Sequence, residues 1–600
     1  MDGGRFWRPW LAGLRLLAYM LDRTLVAVVQ GERVDPGFRT CGRGARAKVG
    51  RPRYERLVRR VVWGTGLLAA GVWVIPALVA GFRARYLGNG TADIWGHAAG
   101  YGWVASALAH GGSPWAPPIN HPVGQPWAVV DLPLAALLTP VTLTAGPLAA
   151  WHLGLIAIIA LGSAGVAAWV GERGDRAAAV LAGLAWAVSP FVRGVVASGV
   201  SEALILGLLP WLAVAVKAER RWIAAAIAAL VAWTGPYSSL DLLLWLMVIA
   251  VDASARRSGV VRALAPAVCG ACVGGVLLGV SAIGHPSFHA DLDGPVNPGA
   301  MWAWASRGGA DLANVFAPWL VLPPAEPTVL HRHVAWVGVV AATLMVASVR
   351  RAPGERRWWA ALVVGAVVLS LGPELRVWGA RTGVPLPGAL LGPLLGQNPW
   401  RHAGLAALIV PMLVGVADRR WLAVVMLEGL LAPAPWWPPS TPDPVGPVER
   451  ALATGEGAVL DLPLDREGRL PKGIAPQRAF VLGVAHGRPI ASALYVAPAV
   501  LDNPAVARLD EQFRAALVHD AGWRRPRAPG APPPRRNEEP FPGFLLPSSA
   551  RADLARRGFT AVTLAADVVP PSARPAFERA LCDWLGEPER RTPDRWLWRL

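Results

Sequence analysis

Arg59-Arg60-Val-Val-Trp-Gly-Thr-Gly-Leu-Leu-Ala-Ala-Gly-Val-Trp-Val-Ile-Pro-Ala-Leu-Val-Ala-Gly-Phe82 runs straight into Arg83-Ala-Arg85-Tyr-Leu-Gly-Asn-Gly-Thr-Ala-Asp93-Ile-Trp-Gly-His97. The first half is an uncharged run behind two arginines, long enough as a helix to cross the roughly 30 Å of a bilayer core. The second half is polar, turn-rich, and carries one carboxylate. Together they predict a membrane helix that delivers Asp93 to the far surface of the bilayer.

The rest of the chain repeats this pattern. Of 600 residues, 54% are hydrophobic and only 16% charged, against about 25% charged in soluble domains. Mean hydropathy is +0.39. Apolar runs recur at about 61–82, 146–170, 177–191, 201–216, 222–234, 237–251, 263–283, 334–349, 358–372, 403–417 and 421–433. The expected fold is therefore a polytopic α-helical membrane protein of about eleven spans. The formal charge of +18 does not indicate a nucleic-acid partner, because the basic residues lie mainly between the apolar runs.

That distribution also predicts orientation. Residues 1–60 hold fourteen Lys/Arg against five Asp/Glu, so this basic N-terminal segment is expected in the cytoplasm. Segment 7–30 is apolar but broken by Arg15, Asp22 and Arg23, and reads as a surface-lying stretch rather than a cleaved signal. Gly171-Glu-Arg-Gly-Asp-Arg176, Lys217-Ala-Glu-Arg-Arg221, Arg256-Arg257, Arg350 to Arg357 and Asp418-Arg-Arg420 then fall on one side of an alternating topology. The large connections 83–145, 284–333 and 373–402, and a tail domain over 434–600, fall on the other. Long Pro-rich loops confined to one face are where function concentrates. Arg greatly outnumbers Lys and Ala, Gly, Pro and Val are abundant, a composition expected of a GC-rich bacterial genome and a bacterial inner membrane.

Several residues are chemical candidates. Asp93 reads as a carboxylate placed for chemistry at the membrane surface, or as a helix N-cap before the amphipathic stretch 94–110. His97 follows it at i, i+4, on the same helical face. Gly111-Gly-Ser-Pro-Trp-Ala-Pro-Pro-Ile-Asn120-His121-Pro-Val-Gly124 is a rigid turn-rich stretch in which Asn120 and His121 orient a substrate or cap a turn, before a second apolar helix from about 131 to 142. Glu202 starts a helix at the outer end between two spans, where the helix dipole favours an acid. His285, His289, Asp291 and Asp293 crowd nine residues and offer divalent-metal ligands, or simply a soluble loop. Arg401 stands at the outer start of a span, suited to phosphate or to lipid headgroups. Glu428 is costly to ionise in an apolar run.

Cys269-Gly-Ala-Cys272 lies within an apolar run where small residues favour close helix packing, which argues against a redox or metal role. No Walker-type loop or catalytic Gly-x-Ser-x-Gly is present, so ATP use is not indicated.

A first span, an Asp-bearing loop with a helix, a Gly-x-Pro turn, an Asn-x-Pro-x-Gly segment and a returning helix resemble the GT-C superfamily of integral-membrane glycosyltransferases, and more closely a large bacterial group of GT-C-like proteins. The resemblance continues through Ala187-Val-Ser-Pro-Phe191, Leu209-Pro210, Gly235-Pro-Tyr237-Ser-Ser, Ala310-Asp311-Leu312, Leu371-Gly-Pro373, Val384-Pro-Leu-Pro387, Asn398-Pro-Trp-Arg401 and Leu427-Glu428, in order over most of the chain. It implies a hexosyl- or pentosyltransferase that moves a sugar from a polyprenyl-phosphate carrier to an envelope glycan or glycoconjugate. It makes Asp93 the base or metal ligand and, by position in the second outer loop, Glu202 a metal ligand, and leaves a divalent cation as the one cofactor suggested. The acidic pair frequent in that loop is here Thr91-Ala92-Asp93, a single carboxylate. A non-catalytic scaffold of the same architecture and a lipid or polysaccharide transporter are the alternatives.

From Gly457 the pattern changes. Ala458-Val-Leu-Asp-Leu-Pro-Leu464 reads as a strand, Ala550–Gly558 as a helix, Phe559–Leu564 as a strand, Ser572–Gly586 as a helix and Trp596–Leu600 as a strand. The tail is expected to be a small α/β domain. It would serve as a lid, a stabilising module or an acceptor-binding surface.

Overall fold

The structure is a computed structural model that describes residues 51–82, 84–89, 94–122, 124, 131–173, 175–255, 260–283, 309–316, 335, 337–351, 353–378, 380–391, 398–432, 437–464, 476–491, 504, 506–509, 549–569 and 574–600. Asp93, the metal candidates His285, His289 and Asp291, and segment 7–30 lie outside the described residues.

The chain opens on α1 (Arg51–Ala80), followed by β1 (Arg85–Leu87) and α2 (Ile94–Ala109). Two short helices, α3 (Leu132–Leu137) and α4 (Thr139–Ala145), lead into α5 (Pro147–Gly171). The pair α6 (Arg176–Ala187) and α7 (Pro190–Ser198) is one apolar rod broken at Ser189-Pro190, where Ser189 caps the second half by accepting the Val192 N–H. The expected span 177–191 therefore continues one turn and more beyond its predicted end. A 3-10 helix over Ser201–Leu208 then passes into α8 (Leu209–Lys217), α9 (Arg221–Thr234), α10 (Pro236–Ala255) and α11 (Val260–Ile283).

Four described helices are long and apolar enough to cross a membrane: Arg59–Ala80, Pro147–Gly171, Arg176–Ser198 and Pro399–Ala417. Shorter apolar helices cover Arg221–Thr234, Pro236–Val251, Leu264–Val280 and Val339–Arg350. Within α1 only 39% of the apolar window is buried, against 78% in the other three long helices. Leu67, Leu68, Ile75, Leu78 and Val79 of α1 are exposed, so this helix turns an aliphatic face outward as a lipid-contacting helix does. Helix α5 sits inside, packed on α1, α6 and the 3-10 helix.

Helices α9 and α11 make the most extensive contact in the bundle, and the reason is two glycines one turn apart. A Cβ at Gly270 or Gly274 would run into the carbonyl oxygens of Ala225 or Ala229. Small residues let the two backbones touch. Cys269 and Cys272 are free and exposed, so the close contact belongs to Gly270 between them.

Helices α12 (Val339–Arg351) and α13 (Pro353–Ser370) precede a hairpin of β2 (Glu374–Val377) and β3 (Ala380–Pro385). A 3-10 turn over Pro399–His402 starts the rod that continues as α14 (Ala403–Ala417), and α15 (Arg419–Leu431) follows. Glu428 of α15 is buried and neither solvent-facing nor bare: the backbone N–H groups of Val340 and Ala341 donate to its two carboxylate oxygens at 2.9 Å each. It caps the start of α12 from another helix, where the helix dipole favours a negative charge.

Strand β4 (Ser440–Pro442) pairs antiparallel with β1, Leu87 opposite Ser440 and Arg85 opposite Pro442. Beyond it come α16 (Pro447–Leu452), β5 (Ala458–Leu462), α17 (Pro476–His486), α18 (Ala550–Arg556), β6 (Phe559–Ala565), α19 (Arg574–Leu585), β7 (Arg590–Arg591) and β8 (Arg595–Arg599). The sheet order is β5-β6-β8-β7, with β5 and β6 parallel and the other pairs antiparallel. One apolar cluster includes Leu460, Leu462, Val562, Leu564, Trp596 and Trp598. Phe480 and Val481 of α17, Ile490, Ala561 and Leu597 belong instead to the same core as the helical bundle. The C-terminal unit is thus packed onto the helices through a shared apolar core.

Candidate functional site

His97 lies at the first turn of α2 and is buried to 3% exposure. Its Nδ1 is 3.0 Å from Oδ2 of Asp131 and its Nε2 is 3.2 Å from Oε2 of Glu202. One imidazole therefore bridges two carboxylates, both buried.

Each residue arrives on a different element. Asp131 occupies the N-cap position of α3 with φ 60° and ψ 22°, a left-handed conformation that Asp tolerates better than most residues. Its carboxylate makes no cap hydrogen bond; it accepts instead from the Ser201 hydroxyl and faces His97. Ser201 and Glu202 open the 3-10 helix Ser201–Leu208, immediately after Gly199 ends α7 in the left-handed region. The turn sends Ser201 to Asp131 and Glu202 to the other side of the imidazole.

Glu202 also pairs through Oε1 with Nη1 of Arg401, from the 3-10 turn that opens the α14 rod. The Arg401 guanidinium lies over the Tyr237 ring, 4.7 Å from its centroid, so it has a cation–π contact as well as its ion pair. Behind it, Nδ1 of His402 is 2.8 Å from Oδ1 of Asp241, both fully buried. The Tyr237 hydroxyl accepts the Asn398 N–H at 2.8 Å and fixes the approach to this turn. A small cavity is lined by Glu202, Gly235, Tyr237, Ser238, Asp241 and Arg401.

The order Asp131, His97, Glu202, Arg401 alternates acid and base across four elements. Glu202 has the Arg401 guanidinium beside it, as a buried charge requires, and both carboxylates face the His97 ring. One ligand atom each from His97, Asp131 and Glu202 lie within 4.8 Å of one another. One imidazole nitrogen and two carboxylate oxygens suit a borderline or hard divalent cation such as Zn, Mn or Mg. Both ring nitrogens of His97 face carboxylates, so a bound cation would replace a ring proton.

Of the residues expected from sequence, the structure brings together His97, Glu202 and Arg401. His121 is held at another place. Asn120 is fully buried with φ 54°. His121 sits at the seam with the C-terminal unit, where Nε2 donates to the Arg557 carbonyl at 2.7 Å and the ring meets Phe559 edge-on. His121 is engaged there by protein rather than turned toward the cluster.

Asp131 was missed. In Val129-Val130-Asp131-Leu132-Pro133 it reads as the first residue of the returning apolar helix. Its signal is isolation: it is the sole Asp, Glu, Lys or Arg between Asp93 and Glu172. A lone carboxylate among some eighty uncharged residues is costly unless it has a partner. Ser201 and Asp241 carried no comparable signal, a hydroxyl beside an acid and an acid near a helix start being ordinary.

No family model matches the chain, and no curated protein matches it. Among solved structures it is similar to the archaeal oligosaccharyltransferase AglB from Archaeoglobus fulgidus, determined in complex with an inhibitory peptide and a dolichol-phosphate. The two share 11% identity with a TM-score of 0.44, over 84% of this chain and 69% of that one.

Proposed function

We propose that this chain is a GT-C-type glycosyltransferase of the bacterial inner membrane, with its N-terminus in the cytoplasm and its site at the outer face. It transfers a sugar from a polyprenyl-phosphate donor to an envelope glycan or glycoconjugate. The observation that carries the reading is the buried bridge of His97 between Asp131 and Glu202 with Arg401 attached.

The chemistry is a displacement at the anomeric carbon. The acceptor hydroxyl oxygen forms the new bond, the bond from that carbon to the carrier phosphate oxygen breaks, and the hydroxyl proton passes to a carboxylate. The leaving group carries away the electron pair as a lipid phosphate, and direct displacement inverts the anomeric centre. Asp93, one helical turn before His97 in sequence, is our choice for the base. Arg401 is our choice for the phosphate contact, because a planar guanidinium fork matches the geometry of phosphate oxygens and it stands beside the cluster, paired with Glu202. A divalent cation held by His97, Asp131 and Glu202 would supply charge neutralisation for the departing phosphate.

The cluster supports an enzyme over a scaffold, since a purely structural protein gains little from two buried acids around one imidazole. It supports an enzyme over a transporter because, among the described residues, His97, Asp131, Glu202 and Arg401 converge on one centre. The test is transfer from polyprenyl-phosphate sugars by the purified protein in nanodiscs, with Asp93→Ala and Glu202→Gln alongside. Transfer by wild type that both variants lose supports the proposal. Wild-type rates in both variants would refute the assignment, and sugar-lipid movement without bond formation would favour transport.

A further inference from the structure

We infer that the C-terminal unit is a clamp that sets the position of α2, and with it the distance from His97 to its two carboxylates. This rests on the reading of His97, Asp131 and Glu202 as the functional site. It assigns the positioning to Gly102, Val484 and His121, none of which touches that cluster.

The unit grips the first loop at three places: before the helix, on it and after it. Before α2, β1 pairs with β4, the Gly88 N–H donates to the Pro439 carbonyl at 2.8 Å, and the Thr441 hydroxyl returns a bond to the Gly88 carbonyl at 2.7 Å. Arg85 adds two donations to Ser440, at 3.0 Å to the hydroxyl and 2.8 Å to the carbonyl. After α2, the Ile490 N–H donates to the Pro118 carbonyl at 2.9 Å and the His121 N–H donates to the Ile490 carbonyl at 3.0 Å. Ile490 itself bridges to Val459 of β5, so this part of the loop is bonded to an extension of the sheet. His121 adds the bond from its ring to Arg557.

On the helix, α17 lies directly across α2. The crossing point is Gly102, where a Cβ would come within 2.7 Å of Cγ1 of Val484, closer than real Cβ contacts allow. The same Cβ would be 3.8 Å from the Val484 Cβ, an ordinary contact. His97 stands five positions before Gly102 on the same helix, so a displacement of α2 at the crossing is passed along a rigid rod. Main-chain hydrogen bonds on both flanks hold the ends against tilting. A lid resting on the bundle would need neither the flanking bonds nor a glycine at the crossing.

The test is complementary volume in the full-length protein, read at His97. Gly102→Ala introduces the clash, and Val484→Ala removes the atom that causes it. The readout is the imidazole nitrogen resonances of His97 in protein labelled at histidine, assigned with His97→Gln, in wild type, Gly102→Ala, and the double variant. We expect Gly102→Ala to move the His97 signals, and the double variant to return them to the wild-type positions with helix content unchanged throughout. His121→Ala, which loosens the flank without adding volume, is the second arm should Gly102→Ala not fold, and is expected to move the same signals. His97 resonances at wild-type positions in the folded variants would overturn the clamp. A shifted His97 with undiminished sugar transfer would leave the clamp standing and refute the cluster as the functional site.

Discussion

His97 Nδ1 and Asp131 Oδ2 stand 3.0 Å apart, on residues 34 positions from each other, at the start of two helices separated by a Pro-rich loop. The contact makes Asp131 the partner that keeps the imidazole oriented while its other nitrogen faces Glu202. Asp131→Ala removes the carboxylate that faces Nδ1 and accepts from the buried Ser201 hydroxyl. The expected result is a loss of sugar transfer of about 100-fold or more, the usual worth of an acid–base group or its orienting partner. Asp131→Asn, which keeps an acceptor oxygen but not the charge, is expected to fall between. Transfer within twofold of wild type in Asp131→Ala would remove Asp131 from the site.

Arg401 is fixed by the Glu202 carboxylate on one side and by the Tyr237 face on the other. Lys carries the same charge but neither a fork nor a plane to stack. Arg401→Lys is therefore expected to raise KM for the lipid-phosphate donor about tenfold, the loss of roughly one charge-assisted contact. Arg401→Gln should do worse, because it also leaves Glu202 without its cation. Donor titrations of the three proteins check this, and equal KM values across them would contradict the phosphate role.

Glu428 serves stability and not chemistry. Glu428→Ala leaves the Val340 and Ala341 N–H groups without their acceptor at a buried helix start, an expected cost of about 2–4 kcal/mol. Glu428→Gln keeps one good acceptor and is expected to cost about half as much. Thermal unfolding in detergent should show the order wild type, Gln, Ala, with no change in KM for the donor. A donor-affinity defect in Glu428→Gln at unchanged Tm would place this residue in the binding site instead.

The contrast between Glu428 and Asp131 shows what the sequence makes readable. Both are conspicuous as acids in apolar surroundings, and hydropathy exposes that cost directly. Their partners are not readable, because Val340 lies 88 positions from Glu428 and His97 comes from a loop whose path the apolar periodicity does not encode. The helical runs were legible because burial in lipid or in a helix core leaves an unbroken apolar stretch. The sequence at Ser189-Pro190 reads as a span end although the helix resumes there, because a capped kink and a terminus use the same residues. In the C-terminal unit, the strand read at Ala458–Leu464 runs Ala458–Leu462 and the one read at Phe559–Leu564 runs Phe559–Ala565. Alternation and flanking glycines locate such strands. The docking of His121 on Arg557, 436 positions away, has no local signature, and so the sequence reads His121 as a sugar-orienting or turn-capping residue.

His486 gives the C-terminal unit a stability that depends on pH. Burial, and then the positive charges of Arg595 and Arg488, push its imidazole down to about 3 from 6.5. The geometry agrees: Nδ1 accepts the Arg488 N–H at 3.2 Å, so the folded state needs that nitrogen unprotonated. An unfolded chain takes up the proton as pH falls through 6.5 while the folded one does not, so His486 costs no stability well above that value. Stability then declines as pH falls from about 6.5 toward 3, by up to about 1.4 kcal/mol per unit. Asp461, raised chiefly by its burial, has the opposite sign, since its folded form holds a proton more tightly than the unfolded form. The comparison that isolates His486 is therefore the difference between wild type and His486→Asn, whose amide oxygen can still accept from Arg488. Unfolding measured at several values between pH 5 and 8 is expected to show a steeper acid-side fall in wild type than in His486→Asn. Parallel curves would mean that the imidazole is protonated in the folded unit and that its buried neighbours have rearranged to accept it.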